Sequence, residues 1–300
     1  MAETIAFIGL GNMGGPMAAN LVKGGHRVAG FDLSAEACAK AKEAGASIAG
    51  SVIEAVNGAD IVITMLPAGK HVLSVSNEIL PSIKVGALVI DCSTIDVESA
   101  RKAHDLASAQ NRQLASLDAP VSGGVGGAAA GTLTFMCGGS GEAFARAEPI
   151  LNLMGKRIVH CGDNGAGQAA KICNNMILGI SMIGVAEAFV LAEKLGLSHQ
   201  ALFDVASTAS GQCWSLTTYC PVPGPVPTSP ANNDYKPGFA AALMLKDLKL
   251  AQDAANASGA TTPLGAEAAQ LYSLFANAGH ASEDFSGIIN FLRGEGKGAN

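Results

Sequence analysis

The sequence predicts a two-part α/β chain, a doubly wound parallel sheet followed by an all-α domain. A short β-rich run, "TIAFIG", passes directly into a glycine turn. Apolar strand-like runs then alternate with helical stretches as far as Gly162, and beyond that point only long helical patterns remain. At 300 residues the chain exceeds the size, roughly 250–300 residues, at which one core tends to split. The expected boundary separates residues 1–163 from residues 164–300.

The first strand starts at Thr4. Gly9, Gly11 and Gly14 form G-x-G-x-x-G, with Leu10, Asn12 and Met13 completing the turn, and a helix carrying Met17, Leu21 and Val22 runs on to Gly24-Gly25. Alone, this pattern is weak. The next strand, "HRVAGFD", ends in Asp32, where a carboxylate can hydrogen-bond the ribose 2′-OH of NAD and would repel the 2′-phosphate of NADP. Together the two features read as a Rossmann-type domain that takes NAD. Gly9 permits the tight turn, Gly11 lets backbone approach a pyrophosphate and Gly14 allows close helix contact, while the helix N-terminus favours the anion.

"ADIVITMLP" and "GALVIDCST" are apolar enough for buried parallel strands. "LASLDAPVSGG", "TLTFMCGG" and "RIVHCG" complete the sheet. Ligands of such sheets bind at the strand carboxyl ends, which singles out Leu66-Pro67, Ser93-Thr94 and Ser122-Gly123-Gly124. "DAPVSGGVGGAAAGTLT" reads either as a flexible glycine loop or, the favoured alternative, as a nest of backbone N–H groups for a carboxylate.

The second half opens with "GQAAKICNNMILGISMIGVAEAFVLAEKLG", apolar on nearly every side, as expected of a buried helix. Further helices are expected at "SHQALFDVASTAS", "GFAAALMLKDLKLAQDAANASG" and "LGAEAAQLYSLFANAG". "SEDFSGIINFLRG" is a short amphipathic segment. The stretch from Gly211 to Gly238 holds Pro221, Pro223, Pro225, Pro227 and Pro230 and reads as a rigid extended loop.

Hydrophobic residues make up 49% and charged residues 15%, with net charge −6, which describes a globular chain without a nucleic-acid surface. The seven cysteines show no C-x-x-C and no metal-ligand spacing with histidine, so they read as reduced core thiols of a cytoplasmic protein with no metal. The longest apolar run, Met176 to Ala192, contains Glu187 and falls short of the ~20 residues of a membrane span. So much apolar helix with so little charge predicts a homodimer or homotetramer.

Lys171 stands out because lysine is among the residues least often buried without a partner. On a helix it shares a face with Gln168 and Asn175, near the expected domain boundary. Oxidation of an alcohol by a nicotinamide requires a group that takes the hydroxyl proton, and the dispersed histidines offer none. Desolvation and a cationic nicotinamide would lower the amine's affinity for protons. Lys171 is therefore the candidate acid/base, against the alternative of a structural lysine capping a carbonyl.

At "GLGNMGGPMAANL", "DAPVSGGVGGAAAGTLTFM", "GAGQAAKICNNMI" and "LMLKDLKLAQ" the sequence resembles the β-hydroxyacid dehydrogenase family over essentially its whole length. The resemblance implies that Lys171 is catalytic with Asn175 beside it at the substrate, and that Ser122, Gly123 and Gly124 bind the substrate carboxylate. It places Leu66, Pro67, Thr94 and Lys246 at the cofactor and Trp214 and Phe239 around a small pocket. "SGQCWSLTTYCPVPG" and "PANNDY" further imply oxidation of (S)-3-hydroxyisobutyrate to methylmalonate semialdehyde in valine breakdown. L-Serine or tartronate semialdehyde are alternative substrates. A redox-silent dinucleotide-binding module is the remote alternative; it would lack the proton-transfer group.

Overall fold

The computed structural model describes residues 2–294, and its contacts divide the chain into two compact units, Met1–Lys171 and Ile172–Asn300. In the first, β1 (Thr4–Ile8), α1 (Gly14–Lys23), β2 (Arg27–Phe31), α2 (Ala35–Glu43), β3 (Ser47–Ile48), α3 (Val52–Val56), β4 (Ile61–Thr64), α4 (Gly69–Ile79), β5 (Leu88–Asp91), α5 (Val97–Ser108) and β6 (Ala115–Asp118) alternate as expected. Then come β7 (Val121–Ser122), α6 (Gly124–Ala130), β8 (Leu133–Gly138), α7 (Gly141–Leu151) and β9 (Gly155–Gly162).

The sheet order is β3-β2-β1-β4-β5-β6-β8-β7, with β9 paired to β8. From β3 to β6 every pairing is parallel; β8 runs antiparallel to β6 and β7. The expected parallel sheet thus ends in a mixed margin. In β1, Ile5 and Phe7 enter one core with Met17, Leu21, Ile63 and Phe135, whereas Ala6 and Ile8 enter another with Val62, Ile79 and Ile83. This period-2 alternation with both faces apolar is what a sheet covered on both sides requires. Register aligns the carboxyl ends in one row: Phe31 pairs with Ile8, Ile8 with Thr64, Thr64 with Asp91 and Asp91 with Asp118.

Two glycines make the first turn possible. Gly9 has φ +96°, and a Cβ there would lie 2.2 Å from the Met65 carbonyl oxygen; a Cβ on Gly14 would lie 1.9 Å from the Gly9 carbonyl oxygen. Part of the glycine-rich stretch, for which a flexible loop or a nest of backbone N–H groups was expected, forms helix α6, capped by Gly131 in the left-handed conformation. Glycine's poor helix propensity is overridden by contact, since Asn20 of α1 donates to the Ala128 carbonyl at 2.8 Å.

Helix α8 (Ala166–Lys194) is a single helix of 29 residues, longer than its apolar run and, by length and composition alone, long enough to cross a bilayer. Met182, Ala186 and Phe189 are instead fully buried in the core of the second unit. That unit continues with α9 (His199–Ala206), α10 (Trp214–Thr217), α11 (Ala241–Ser258), α12 (Pro263–Phe275) and α13 (Ile288–Arg293). The loop expected to be helix-free includes the single turn α10, and Pro230 opens a 3-10 turn whose first position tolerates its missing N–H. Gly259 in the left-handed conformation ends α11, and Pro263 starts α12. Cys92, Cys137 and Cys220 are buried, but Cys173 is exposed rather than in the core.

Asp284, fully buried, organises the second unit. Its Oδ2 accepts from the Tyr219 hydroxyl (2.9 Å), Gly238 N–H (2.9 Å) and Phe239 N–H (3.1 Å), and its Oδ1 from Ser286 N–H (3.0 Å) and hydroxyl (2.7 Å). Burial first, and then the Asp284 charge, push the Tyr219 phenol well above its usual range. Asp284→Ala would strand several of these buried donors, each costing ~1–3 kcal/mol. Denaturant titration should show a loss of at least about 3 kcal/mol; a loss within ±0.5 kcal/mol, as at ordinary surface sites, would show that water replaces the carboxylate.

Candidate active site

The glycine turn leaves α1 with an open N-terminus. Met13 at its N-cap makes no side-chain cap bond, so the first N–H groups depend on another acceptor. Gly11 and Asn12 are exposed, and a Cβ on Gly11 would meet nothing within 4 Å. Bare backbone beside a helix N-terminus fits the pyrophosphate of a dinucleotide. Asp32, half-buried at the end of β2, accepts from Leu10 N–H (2.6 Å) through Oδ2 and from Ser34 N–H (2.7 Å) through Oδ1. The carboxylate expected at the ribose therefore also pins the glycine turn. Leu33 beside it is 94% exposed.

At the next two strand ends, Leu66 is half-buried and Pro67 exposed, and Thr94 is half-buried. Ser93, fully buried between these positions, holds the rim together: its hydroxyl accepts from Leu66 N–H (2.8 Å) and donates to Asp91 Oδ1 (2.6 Å), which also takes the Thr64 hydroxyl (2.7 Å). Asp91 Oδ2 is buried with no hydrogen-bond partner. Desolvation pushes the Asp91 carboxyl up to about 6 against the lowering effect of the Ser93 and Thr64 hydrogen bonds.

Lys171 is only 6% exposed, more enclosed than a cleft-facing lysine, and it is fixed through its helix. Gln168, one turn earlier and fully buried, accepts from Ile95 N–H (3.1 Å) and donates to the Ser93 carbonyl (2.7 Å). Its amide is committed to the β5 end, so it serves Lys171 by anchoring. Ser122 and Gly123 lie where β7 turns into α6, with Gly123 at φ +133° and Gly124 at φ +62°. Consecutive positive-φ glycines turn backbone N–H groups to the side of the chain, a geometry suited to a carboxylate. A separate cleft of about 590 Å³ lies at the strand amino ends, lined by Glu3, His26, Asp60 and Arg146, away from the row that carries these groups.

In the second unit, Asn175 is buried; its Nδ2 donates to Asp247 Oδ2 (2.5 Å) and its Oδ1 accepts from Asn174 Nδ2 (2.9 Å). Asp247 was not singled out from the sequence, although it follows Lys246 directly. Burial lowers the Lys246 amine below its usual range, opposed by Asp247. Trp214, half-exposed, stacks on Tyr219 (centroids 4.8 Å), Tyr219 on Phe285 (5.3 Å), and Phe239 meets Phe285 edge-on (5.8 Å). Trp214 and Phe239 therefore belong to one aromatic cluster. Among the described residues, no group of three or more His, Cys, Asp and Glu could hold a metal.

A family model described as the NAD binding domain of 6-phosphogluconate dehydrogenase matches residues 4–162, and one described as the NAD-binding domain of NADP-dependent 3-hydroxyisobutyrate dehydrogenase matches residues 165–292. A Mycobacterium tuberculosis protein named probable 3-hydroxyisobutyrate dehydrogenase is 57% identical over 97% of this chain and 98% of its own length. The chain belongs to the 3-hydroxyisobutyrate dehydrogenase family of NAD-dependent oxidoreductases. A solved structure of a family member, the M. tuberculosis 3-hydroxyisobutyrate dehydrogenase with L-serine, superposes with TM-score 0.94 at 57% identity over 98% of this chain and 100% of that one. A Pseudomonas aeruginosa NAD-dependent L-serine dehydrogenase is 51% identical over 95% of this chain and 96% of its own length.

Asp91 yields a pH test. Its folded value, about 6, lies above the 3.8 of a free aspartate carboxyl, so the folded state holds this proton more tightly. The resulting stabilisation is full below pH 3.8 and fades as pH rises through about 6, a loss of about 3 kcal/mol at most. Asp91→Asn should remove this contribution, flattening stability against pH between about 4 and 7. An unchanged slope in the variant would place the proton elsewhere.

Proposed function

We propose that the chain oxidises (S)-3-hydroxyisobutyrate to methylmalonate semialdehyde with NAD, in valine breakdown, and that L-serine is a second substrate of the same site. The observation that carries this reading is a buried lysine on the helix that Gln168 ties to the β5 rim. In this reading residues 1–163 are the NAD-binding domain, and residues 164–300 are the all-helical substrate and oligomerisation domain.

Gly9 to Gly14 receive the pyrophosphate, and Asp32 receives the ribose while holding the turn. Leu66, Pro67 and Thr94 would line the cofactor. NAD, when bound, would supply the acceptor for the hydride that leaves the substrate's hydroxymethyl carbon. Ser122, Gly123 and Gly124 hold the carboxylate, which fixes the distance from carboxylate to hydroxyl and selects short 3-hydroxy acids. Lys171 takes the hydroxyl proton at Nζ as the carbonyl forms. Asn175, Lys246, Trp214 and Phe239 are assigned to substrate or cofactor on the family resemblance.

The two substrates differ at C2, where one carries a methyl and the other an ammonium group. An apolar wall favours the methyl, whereas the ammonium needs an acceptor. L-Serine is retained because the M. tuberculosis relative was solved with it and a close relative is named for it. Comparing kcat/KM for both substrates with NAD, followed by nicotinamide absorbance, ranks them; absence of turnover with either would end this reading.

Lys171→Ala should stay folded by circular dichroism and bind NADH as the wild type does, yet lose kcat by about 10²–10⁴-fold. Lys171→Arg should not rescue, because guanidinium stays charged. Near-normal turnover in Lys171→Ala would return this residue to a structural role. Ile177 and Leu191, more than half exposed on α8, and Leu195 just past its end support a homodimer or homotetramer. Leu191→Glu should then shift the mass by light scattering toward the monomer; a wild-type monomer would refute the assembly.

A further inference from the structure

We propose that Asp118 is a positioning residue for the reaction, joining the substrate-carboxylate loop to the helix that carries Lys171, with His104 holding its carboxylate in place. This inference rests on Lys171 being the proton acceptor.

Most capped helices of this chain are capped by their own preceding residue: Ser34, Ser51, Asp96, Ser140 and Ser198 each accept an N–H at the start of the helix they precede. The start of α8 follows a different pattern. Asp118 lies fifty positions before Gln168 and takes the helix start with both oxygens: Oδ1 accepts from Gly165 N–H (2.8 Å) and Oδ2 from Gln168 N–H (2.9 Å). A carboxylate at a helix N-terminus is favoured by charge as well as by hydrogen bonding. Gly165 has no side chain to cap with, so where α8 begins is set by the sheet.

The fit is tight. Gly138 pairs with Asp118 across β8 and β6. A Cβ on Gly138 would lie 2.5 Å from Asp118 Oδ1 and 2.6 Å from the Gly167 nitrogen. A Cβ on Gly167 would lie 2.3 Å from the Met136 carbonyl oxygen and 2.8 Å from Asp118 Oδ2. These two glycines let the helix seat directly on the strand ends. Behind the carboxylate, His104 of α5 is 2% exposed, with Nε2 2.9 Å from Asp118 Oδ1 and Nδ1 2.6 Å from the Ser116 hydroxyl. Both ring nitrogens of His104 are thus engaged, one by the Asp118 carboxylate and one by the Ser116 hydroxyl.

Asp118 therefore connects two parts of the proposed chemistry. Forward in sequence, "DAPVSGG" runs from it to Ser122, Gly123 and Gly124. Through Gln168 it sets α8, and Lys171 follows on the same face about 4.5 Å further along the axis. Both the substrate's carboxylate and the base that meets its hydroxyl are thus referred to one buried side chain. A misplacement of ~1 Å between base and substrate can cost about 10²-fold in rate.

The test uses Asp118→Asn, which replaces one acceptor oxygen by a donor facing an N–H, and Gly167→Ala, which keeps the carboxylate but crowds it and the Met136 carbonyl, displacing the same turn. In single-turnover experiments with the substrate that the wild type turns over, hydride transfer should slow by about 10–100-fold in both variants. KM and NADH affinity should change by less than about threefold. In the protein without cofactor, amide exchange at residues 165–171 should speed up by more than about tenfold while α1 is unchanged. A residue that only stabilises the fold would lower Tm and leave the single-turnover rate intact. The proposal is overturned if folded Asp118→Asn transfers hydride within about threefold of the wild-type rate or leaves exchange at 165–171 unchanged. If Asp118→Asn does not fold, Gly167→Ala decides on the same two readings. Lys171→Ala, measured alongside, separates the readings: an active Lys171→Ala removes the base itself, whereas an inactive one beside a fast Asp118→Asn removes only the positioning.

Discussion

Parallel register constrains the first unit more than any single contact. Because β1, β2, β4, β5 and β6 end level, at Ile8, Phe31, Thr64, Asp91 and Asp118, the residues just past those ends fall along one edge of the sheet although they are far apart in sequence. A one-residue slip in any pairing would turn every side chain of that strand to the opposite face. The apolar alternation of Ile5, Ala6, Phe7 and Ile8, buried on both sides, makes such a slip costly. Core packing thus aligns the polar edge without any polar residue having to specify the alignment.

That edge carries groups that water cannot fully reach, so they satisfy one another. Ser93 bridges the ends of β4 and β5, Gln168 bridges β5 and α8, and Asp118 bridges β6, α5 and α8. Each bridge leaves the backbone of a neighbouring candidate residue rigid: Leu66 through Ser93, and the flanks of Thr94 through Gln168. In the second unit Asp284 performs the equivalent task, tying Phe239 backbone and the Tyr219 ring to one carboxylate. Buried carboxylates of this kind are stable only when nearly every oxygen is used; Asp91 Oδ2 is the exception, and its raised proton affinity follows.

Much of this was legible because local pattern and chemistry coincide. The glycine turn, Asp32 and the change from alternating strands to long helices all have short-range signatures, and the α/β fold with its helical second half follows from them. Lys171 was conspicuous as a lysine in the first turns of an otherwise apolar stretch of helix. Asp118 and His104 were not, and Gln168 stood out only as a neighbour of Lys171 on the helix face, because an aspartate before Ala-Pro or a glutamine in a first helical turn is unremarkable locally; their partners lie 12 to 75 residues away. The helix α6 was missed for the opposite reason: glycine and alanine composition argues for a loop, and only a contact from α1 reverses it. Asn175 was visible, but its commitment to Asp247, 72 residues on, was not.

Asp32 and Leu33 divide a shift in coenzyme preference into two unequal steps. Leu33 projects almost wholly into solvent, so natural variation can place a cation there with little cost to folding. Asp32 cannot be exchanged so freely, since it supplies the acceptors for Leu10 and Ser34 N–H. A change of preference that begins at Leu33 would therefore keep the glycine turn pinned, whereas one that begins at Asp32 would release the backbone on both sides of it.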